Sequence, residues 1–430
     1  MTLTAVISIV TCTLMVLAVL FFPKIKIGKF SVGSYWVATL LGALALLLTG
    51  CVSLTSVAKA LLADTAINPI KILALFISLT ILSIFLDELG FFRFLANATL
   101  RKAGVSQLKL FLLLYITVSV LTVFTSNDII ILSFTPFICY FAKNAKISPI
   151  PYLAAEFVAA NSWSMALIIG NPTNIYLATS ANVDFISYLK VMLLPTIACG
   201  IVSLLCLLLV FGKKLKTPIC ASPKDVTLQD PIALWIGIAH LFICTLLLAV
   251  GSYIGLEMWL VTLIAFISLF LWISLLSCIR RSKPRELIAC LKRAPWELIP
   301  FILTMFVLVE AWDANQMTDL LFQWLNTAAP VWTYGITSFL ASNLVNNIPM
   351  SVLYSSVLSN GSPLSTVYAT VVGSNLGACL TPIGALAGIM WSSILKEHGL
   401  KFGYCDFLKI GITVAVPGLI TSLLVLQWIL

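Results

Sequence analysis

Polar residues are sparse along this chain, and where they fall divides it into elements. Apolar runs near the roughly 20 residues that a helix needs to cross about 30 Å of hydrocarbon recur at 2–22, 34–56, 70–90, 150–180, 187–212, 231–251, 257–278, 296–313, 364–392 and 404–429. They predict ten crossings. Two further segments, 107–142 and 330–360, have room for two helical arms each but are short for two full spans. The first contains LTVFTSNDIIILSFTPFICYF, broken at Ser126, Asn127 and Asp128; the second contains FLASNLVNNIPMSVLYSSVL, broken at Asn346, Asn347 and Pro349. Both are expected to be re-entrant hairpins that enter and leave the membrane on one side. Two full spans in place of either hairpin would return the chain to the same side, so twelve crossings fit the pattern as well.

Charge orients these elements. Of the 25 Lys and Arg residues, 22 fall in the loops 23–33, 91–109 with 143–149, 213–230, 279–295 and 393–409, leaving Lys59, Lys71 and Lys190 on the other face. Short cytoplasmic loops collect Lys and Arg, so those five regions are expected in the cytoplasm and both termini outside. The first run has its basic residues after it and none before it, the reverse of a secretory signal, so it is expected to stay as a membrane helix. Five crossings per half is an odd number, which turns the second half upside down relative to the first. Word similarities agree: Asn127 and Asn347 lie at corresponding breaks, the spans 150–180 and 364–392 are interrupted by GNPTN (170–174) and LTPIG (380–384), and the last spans begin FISYLK (185–190) and YCDFLK (404–409). The expected fold is an all-α integral membrane protein with two inverted-topology repeats, 1–212 and 231–430. Each has five spans and one re-entrant hairpin, a broken helix lies in each half, and 213–230 is the cytoplasmic linker.

Composition supports this class. The chain has 430 residues, 61% hydrophobic and 10% charged, with mean hydropathy +1.10, whereas soluble domains are about 45–50% apolar. The net charge of +9 follows from the loop bias and gives no reason to expect nucleic acid. The eleven cysteines include no Cys-x-x-Cys pair, so neither a disulfide framework nor a metal site is indicated. No phosphate-binding P-loop is present, so transport is expected to draw on an ion gradient or a partner, with no catalytic residues and no cofactor.

Helix breaks leave backbone groups unpaired, which in hydrocarbon costs several kcal/mol per group unless protein or a water-filled cavity satisfies them. Two hairpin tips and two broken helices converging at mid-membrane supply helix ends, carbonyls and amides around one point, as in secondary transporters. Candidate substrate- and ion-binding residues are Ser126, Asn127, Asp128, Asn161, Asn171, Thr173, Asn174, Asn346, Asn347, Asn375 and Thr381. Asp128 and Glu156 are the candidate proton carriers, because intramembrane carboxylates are rare and usually belong to ion paths. His240 is expected to be hydrogen-bonded within the bundle, and Asp87, Glu88, Glu310 and Asp313 to be hydrated helix ends. No Lys or Arg falls among the breaks, which favours a neutral polyhydroxyl solute or small cation over a polyanion.

These residues, with SIFLDELGFFRFLA (83–96), LKRAPWELIPF (291–301), NNIPMSVL (346–353), YATVVGSNLGACLTPIGALAGIMW (368–391) and GITVAVP (411–417), resemble the ArsB arsenite permeases of the ArsB/NhaD branch of the ion transporter superfamily. The resemblance runs along nearly the whole chain. It implies efflux of arsenite or antimonite in exchange for protons across the plasma membrane. By matched motif it carries over Asn127 and Asp128 as one tip, Asn346 and Asn347 as the other, and Thr381 with Pro382 as the second break. The trihydroxide would then be held by Asn127, Asn171, Asn174, Asn346, Asn347 and Asn375, with Asp128 taking up and releasing the proton. Partners expected are a small inorganic or anionic substrate, the lipid bilayer, a separate ATPase subunit such as some members have, and a homodimer. The chain departs from the family at Asn161 and Asn375, where ArsB proteins tend to carry an acid, and at GNPTN, which looks more like sodium- or anion-handling relatives. Sodium therefore stands as the alternative coupling ion, in Na⁺/H⁺ exchange or in sodium-coupled uptake of a carboxylate anion. A channel or structural membrane protein is the competing class, against which the paired hairpins argue.

Overall fold

The computed structural model describes residues 2–22, 24–27, 30–65, 68–219, 228, 230–326, 329–359 and 361–430. The described residues form twenty α-helices and one small β-hairpin. The first ten helices are α1 (Thr2–Phe21), α2 (Ser34–Leu48), α3 (Leu54–Leu62), α4 (Pro69–Glu88), α5 (Phe91–Ala103), α6 (Gln107–Phe124), α7 (Asn127–Ala145), α8 (Ile150–Trp163), α9 (Pro172–Ser180) and α10 (Phe185–Phe211). The rest are α11 (Pro231–Gly251), α12 (Met258–Ile279), α13 (Arg285–Arg293), α14 (Leu298–Ala314), α15 (Met317–Leu325), α16 (Pro330–Val345), α17 (Asn347–Ser359), α18 (Leu364–Gly377), α19 (Leu386–Glu397) and α20 (Tyr404–Ile429). The sequence of lengths recurs: α8 and α18 have 14 residues each, and α10 and α20 have 27 and 26.

The all-α class expected from the sequence is observed, with one small addition: β1 (Lys24–Ile27) and β2 (Phe30–Gly33) pair antiparallel between α1 and α2. One expectation needs correction. The expected span 34–56 is a 15-residue helix ending at Leu48, with α3 a separate helix after the Thr49–Ser53 connection. The apolar run hid this stop, since left-handed Gly50 (φ +70°) turns the chain without adding charge. Among the described residues, seven helical segments are long and apolar enough to cross a membrane, α6 included. The spans 150–180 and 364–392 break as expected, between α8 and α9 and between α18 and α19. Residues 220–227 and 229 of the expected linker lie outside the described residues.

Contacts gather the basic loops at one end. Gly33 N–H donates to Glu297 Oε1 (2.9 Å), Arg293 pairs with Asp87 (2.7 Å) and Glu88 (2.5 Å), Ile219 N–H donates to Val105 O (2.7 Å), and Arg280 pairs with Asp230. At the other end Asn315 Nδ2 donates to Cys51 O (2.9 Å) and Lys71 pairs with Asp64 and Glu257. Packing between halves is reciprocal: α2 lies on α14 as α12 lies on α4, α9 on α17 as α7 on α19, and α10 against α20. The crossing of α16 on α18 uses Gly373 and Gly377; a Cβ on Gly373 would sit 2.0 Å from Ser338 Oγ. Small residues at such a spacing let helix backbones meet closely.

Candidate functional site

Each break has a local cause. Asn171 is extended (φ −150°, ψ 140°), its Oδ1 accepts from Thr173 N–H (3.2 Å), and Pro172 opens α9. An Asx cap followed by proline in the first turn starts a new helix, so GNPTN ends one helical piece and begins the next. Gly170 is required there, because a Cβ would lie 2.1 Å from Ser164 O. The second break runs through extended Thr381, the short turn Pro382–Gly384 and extended Ala385. At the second tip Asn346 has φ +74°, a region that Asn tolerates better than most side chains. Its Nδ2 donates to Ile383 O (2.9 Å) and its Oδ1 accepts from Ile348 N–H (3.3 Å), which ties the tip to the second break.

Asparagine side chains join the halves. Asn375 Oδ1 accepts from Ser164 Oγ (2.8 Å) and Asn171 Nδ2 (3.0 Å), while its Nδ2 donates to Asn174 Oδ1 (2.6 Å) and Val371 O (2.8 Å). An amide has two donors and two acceptor positions, so Asn375 is saturated. Asn174 Nδ2 donates in turn to Ser164 O (2.9 Å) and Leu167 O (3.1 Å). Ser164, Asn174 and Asn375 have no exposed surface. Such a network is strong when complete and costly when a member is lost.

The first tip is held separately. Asn127 Nδ2 donates to Asn161 Oδ1 (3.1 Å), and Asn161 Nδ2 donates to Phe157 O (2.8 Å). Asn347 is buried at the start of α17. Thr381 Oγ1 donates to Asn343 Oδ1 (2.6 Å), and Asn343 Nδ2 reaches Phe339 O and Gly377 O. Asn343 and Ser164 were missed in the sequence, although both are polar residues about one turn from a break. The tip stands midway along α4: Phe124, Thr125 and Ser126 share a small cavity with Phe76, Leu79, Thr80 and Ser83.

The two carboxylates lie in different settings. Glu156 is fully buried and accepts from Thr135 Oγ1 at both oxygens (2.8 and 3.1 Å). Asp128 sits in the first turn of α7, on a half-buried to exposed stripe with Leu132, Pro136 and Tyr140. Its carboxylate has no hydrogen-bond or ion-pair partner among the described residues. The Oγ atoms of Ser126 and Ser374 and the Oγ1 of Thr173 are buried without partners, leaving three hydroxyls beside the amides free to bond a solute; an unmade buried bond costs about 1–3 kcal/mol. Elsewhere, His240 bonds Ile236 O (2.8 Å) and Ser268 Oγ (3.0 Å) within the bundle. Asp87 is an ion-pair partner of Arg293 and accepts from Ser133 Oγ (2.7 Å), more than a hydrated helix end.

Comparison with known proteins agrees with this architecture. Residues 25–361 match a family model described as citrate transporter, CitMHS. A Bacillus subtilis relative is 27% identical over 405 residues, 86% of this chain and 88% of its own. The arsenical pump membrane protein of Escherichia coli K12 is 28% identical over 376 residues, 81% of this chain and 84% of its own. The crystal structure of the Alcanivorax borkumensis YdaH transporter, described as having an unusual topology, aligns with TM-score 0.58 at 14% identity over 99% of this chain and 98% of that one. The fold is therefore that of a known transporter, the ArsB resemblance extends over most of the chain, and the protein belongs to the citrate transporter family as a multi-pass membrane transporter.

Proposed function

We propose that the protein is a secondary active exporter of arsenite or antimonite, driven by exchange for protons, built as two inverted-topology repeats with the basic end in the cytoplasm. The observation that carries the reading is the asparagine network in which Asn375 of the second half meets Ser164, Asn171 and Asn174 of the first. A neutral trihydroxide offers three O–H donors and several lone pairs. Asn375, saturated by protein, shapes the site, and the unpartnered hydroxyls of Thr173 and Ser374 beside the network match both without a cation. A tricarboxylate would need charge compensation in this low-dielectric setting, and no Lys or Arg is among the residues joined there. The names of the arsenical pump relatives support the same substrate. Asp128, next to the first tip, is the proposed proton carrier, with Glu156 one layer deeper.

Alternating access follows from the reciprocal packing: each hairpin tip closes one side as the halves rock about α10 and α20. A second reading, sodium coupling, is favoured by amides at positions 161 and 375, since uncharged oxygens suit an alkali cation. Everted vesicles with an acid interior test both. Arsenite accumulation that collapses with a protonophore and ignores sodium is expected. Flux strictly dependent on sodium would select the second reading, and absence of arsenite flux with normal insertion would overturn the substrate.

A further inference from the structure

Two cavities lie one above the other on a single seam. The larger, a cleft of about 400 Å³, opens at the end opposite the basic loops and is lined by Lys71, Ile72 and Leu75 of α4, Leu248 of α11, and the Thr179–Phe185 connection. The smaller, about 10 Å³, is lined by Phe76, Leu79, Thr80 and Ser83 of α4, Leu241 of α11, Ile169 of the first break and the tip residue Ser126. Helices α4 and α11 line both. Leu241 and Leu248 are two turns apart on one face of α11, roughly 10 Å by helical rise. Between the cavities only apolar side chains intervene on α4.

The polar atoms in the smaller cavity call for a ligand. Thr80 Oγ1 and Ser126 Oγ are buried and have no partner, and the space suits about one water-sized particle. The pseudo-equivalent position in the second half lacks this polarity. When Asp87 is matched to Asp313, each of which accepts from a hairpin serine, Phe306 and Val309 of α14 stand where α4 has Thr80 and Ser83. The larger cleft is acidic: Asp64, Asp184 and Glu257 face it with one cation, Lys71, which is already paired with Asp64 and Glu257. The hydrogen bond from Lys71 holds the Glu257 carboxyl below its ordinary value, so it carries charge at neutral pH.

We propose that the α4–α11 seam is the route by which a small monovalent cation, hydronium or an alkali ion, passes between this acidic cleft and the first hairpin tip. The inference rests on the coupled-transport reading and names the place where the coupling ion enters. A cleft with surplus negative charge raises the local concentration of cations and lowers that of anions. Apolar Leu75, Phe76 and Leu79 form the barrier that must part before the ion reaches Thr80 and Ser126.

Cysteine labelling in intact vesicles tests the route without reference to what is transported, so its failure and failure of the arsenite assay are distinguishable. Leu75→Cys and Thr80→Cys variants of the full chain are treated, from the side of the acidic cleft, with a cationic trimethylammonium-ethyl and an anionic sulfonatoethyl methanethiosulfonate. Rates are normalised to a free thiol after subtraction of the parent's own cysteines. Leu75→Cys should react about tenfold faster with the cation, and the preference should invert when Asp64→Asn, Asp184→Asn and Glu257→Gln are combined. Thr80→Cys should react from the same side, more slowly than Leu75→Cys. Equal rates for the two reagents, a preference that ignores the triple variant, or a Thr80→Cys that never reacts while Leu75→Cys does would each overturn the proposal. Ile72→Cys, on the same face, replaces Leu75→Cys if that variant is not inserted.

Discussion

The two hairpins follow one plan in different surroundings. In the first, α7 presents Asp128, Leu132, Pro136 and Tyr140 along a stripe that is half-buried to exposed, whereas α17 is buried from Asn347 to Leu358 except at Leu353. The first tip holds an acid where the second has Ile348. Pro136 lies inside α7, where it removes a backbone hydrogen bond, while Pro349 lies in the first turn of α17, where proline is tolerated. The second tip is strained at Asn346 and locked to Ile383 O; the first rests on one amide pair, Asn127 with Asn161. A loosely packed element opens at lower free energy than one embedded in the core. The first hairpin is therefore the one expected to move, and the second the one that keeps the site's shape.

The largest test of that contrast compares Asn375 with its counterpart Asn161. Asn375→Ala strands Asn171 Nδ2 and Asn174 Oδ1, while Ser164 Oγ keeps Asn161 O (2.9 Å), and should cost about 2–4 kcal/mol with loss of transport; Asn161→Ala leaves Asn127 alone and should cost about 1 kcal/mol. Thermal unfolding in detergent, together with vesicle flux, would measure both. Similar losses at the two positions would end the idea that one half is the rigid one.

A sharper but smaller effect on the molecule is expected at Asp128. Asp128→Asn should abolish proton-driven transport while leaving expression and melting temperature unchanged, because no group among the described residues bonds its carboxylate. Ile348→Asp at the other tip should instead impair folding, since α17 has no solvated face to receive a charge. Normal coupled flux in Asp128→Asn would remove this residue from the mechanism.

The smallest difference concerns the serines that bind helix-end aspartates. Ser133→Ala removes a donor from Asp87, whose side chain is only 13% exposed, and should cost about 1 kcal/mol. Ser356→Ala removes a donor from exposed Asp313, where water substitutes, and should cost less than about 0.5 kcal/mol. Hydrogen exchange at α7 and α17 in the two variants would read the difference directly.

Much of this was legible in the chain. The hairpin tips at 126–128 and 346–347 and the break at GNPTN announce themselves because polar residues and proline interrupt runs that are otherwise uniformly apolar, and Asn171 and Asn346 each bond the first turn of the helix that follows. The stop at Leu48 was not legible: its signal, a lone Gly50, looks the same as the packing glycines of a membrane helix such as Gly373. Asn343 and Ser164 were overlooked because single polar residues on an apolar helix are common, and nothing local says that they face a break.

The sequence by itself determined where the chain breaks at 126–128, 346–347 and 170–174 and which loops collect positive charge, since hydrocarbon thickness and the need to satisfy every backbone group act on each segment independently. Only the tertiary structure decided which amides meet. Asn375 finds Ser164, Asn171 and Asn174 at sequence separations of 211, 204 and 201 residues, brought together where α18 packs on α8 and α9. Asp128, one residue from Asn127, is turned away from the Asn127–Asn161 pair by the 100° that each helical residue rotates. Partner choice depends on the relative placement of whole helices, which no single segment encodes.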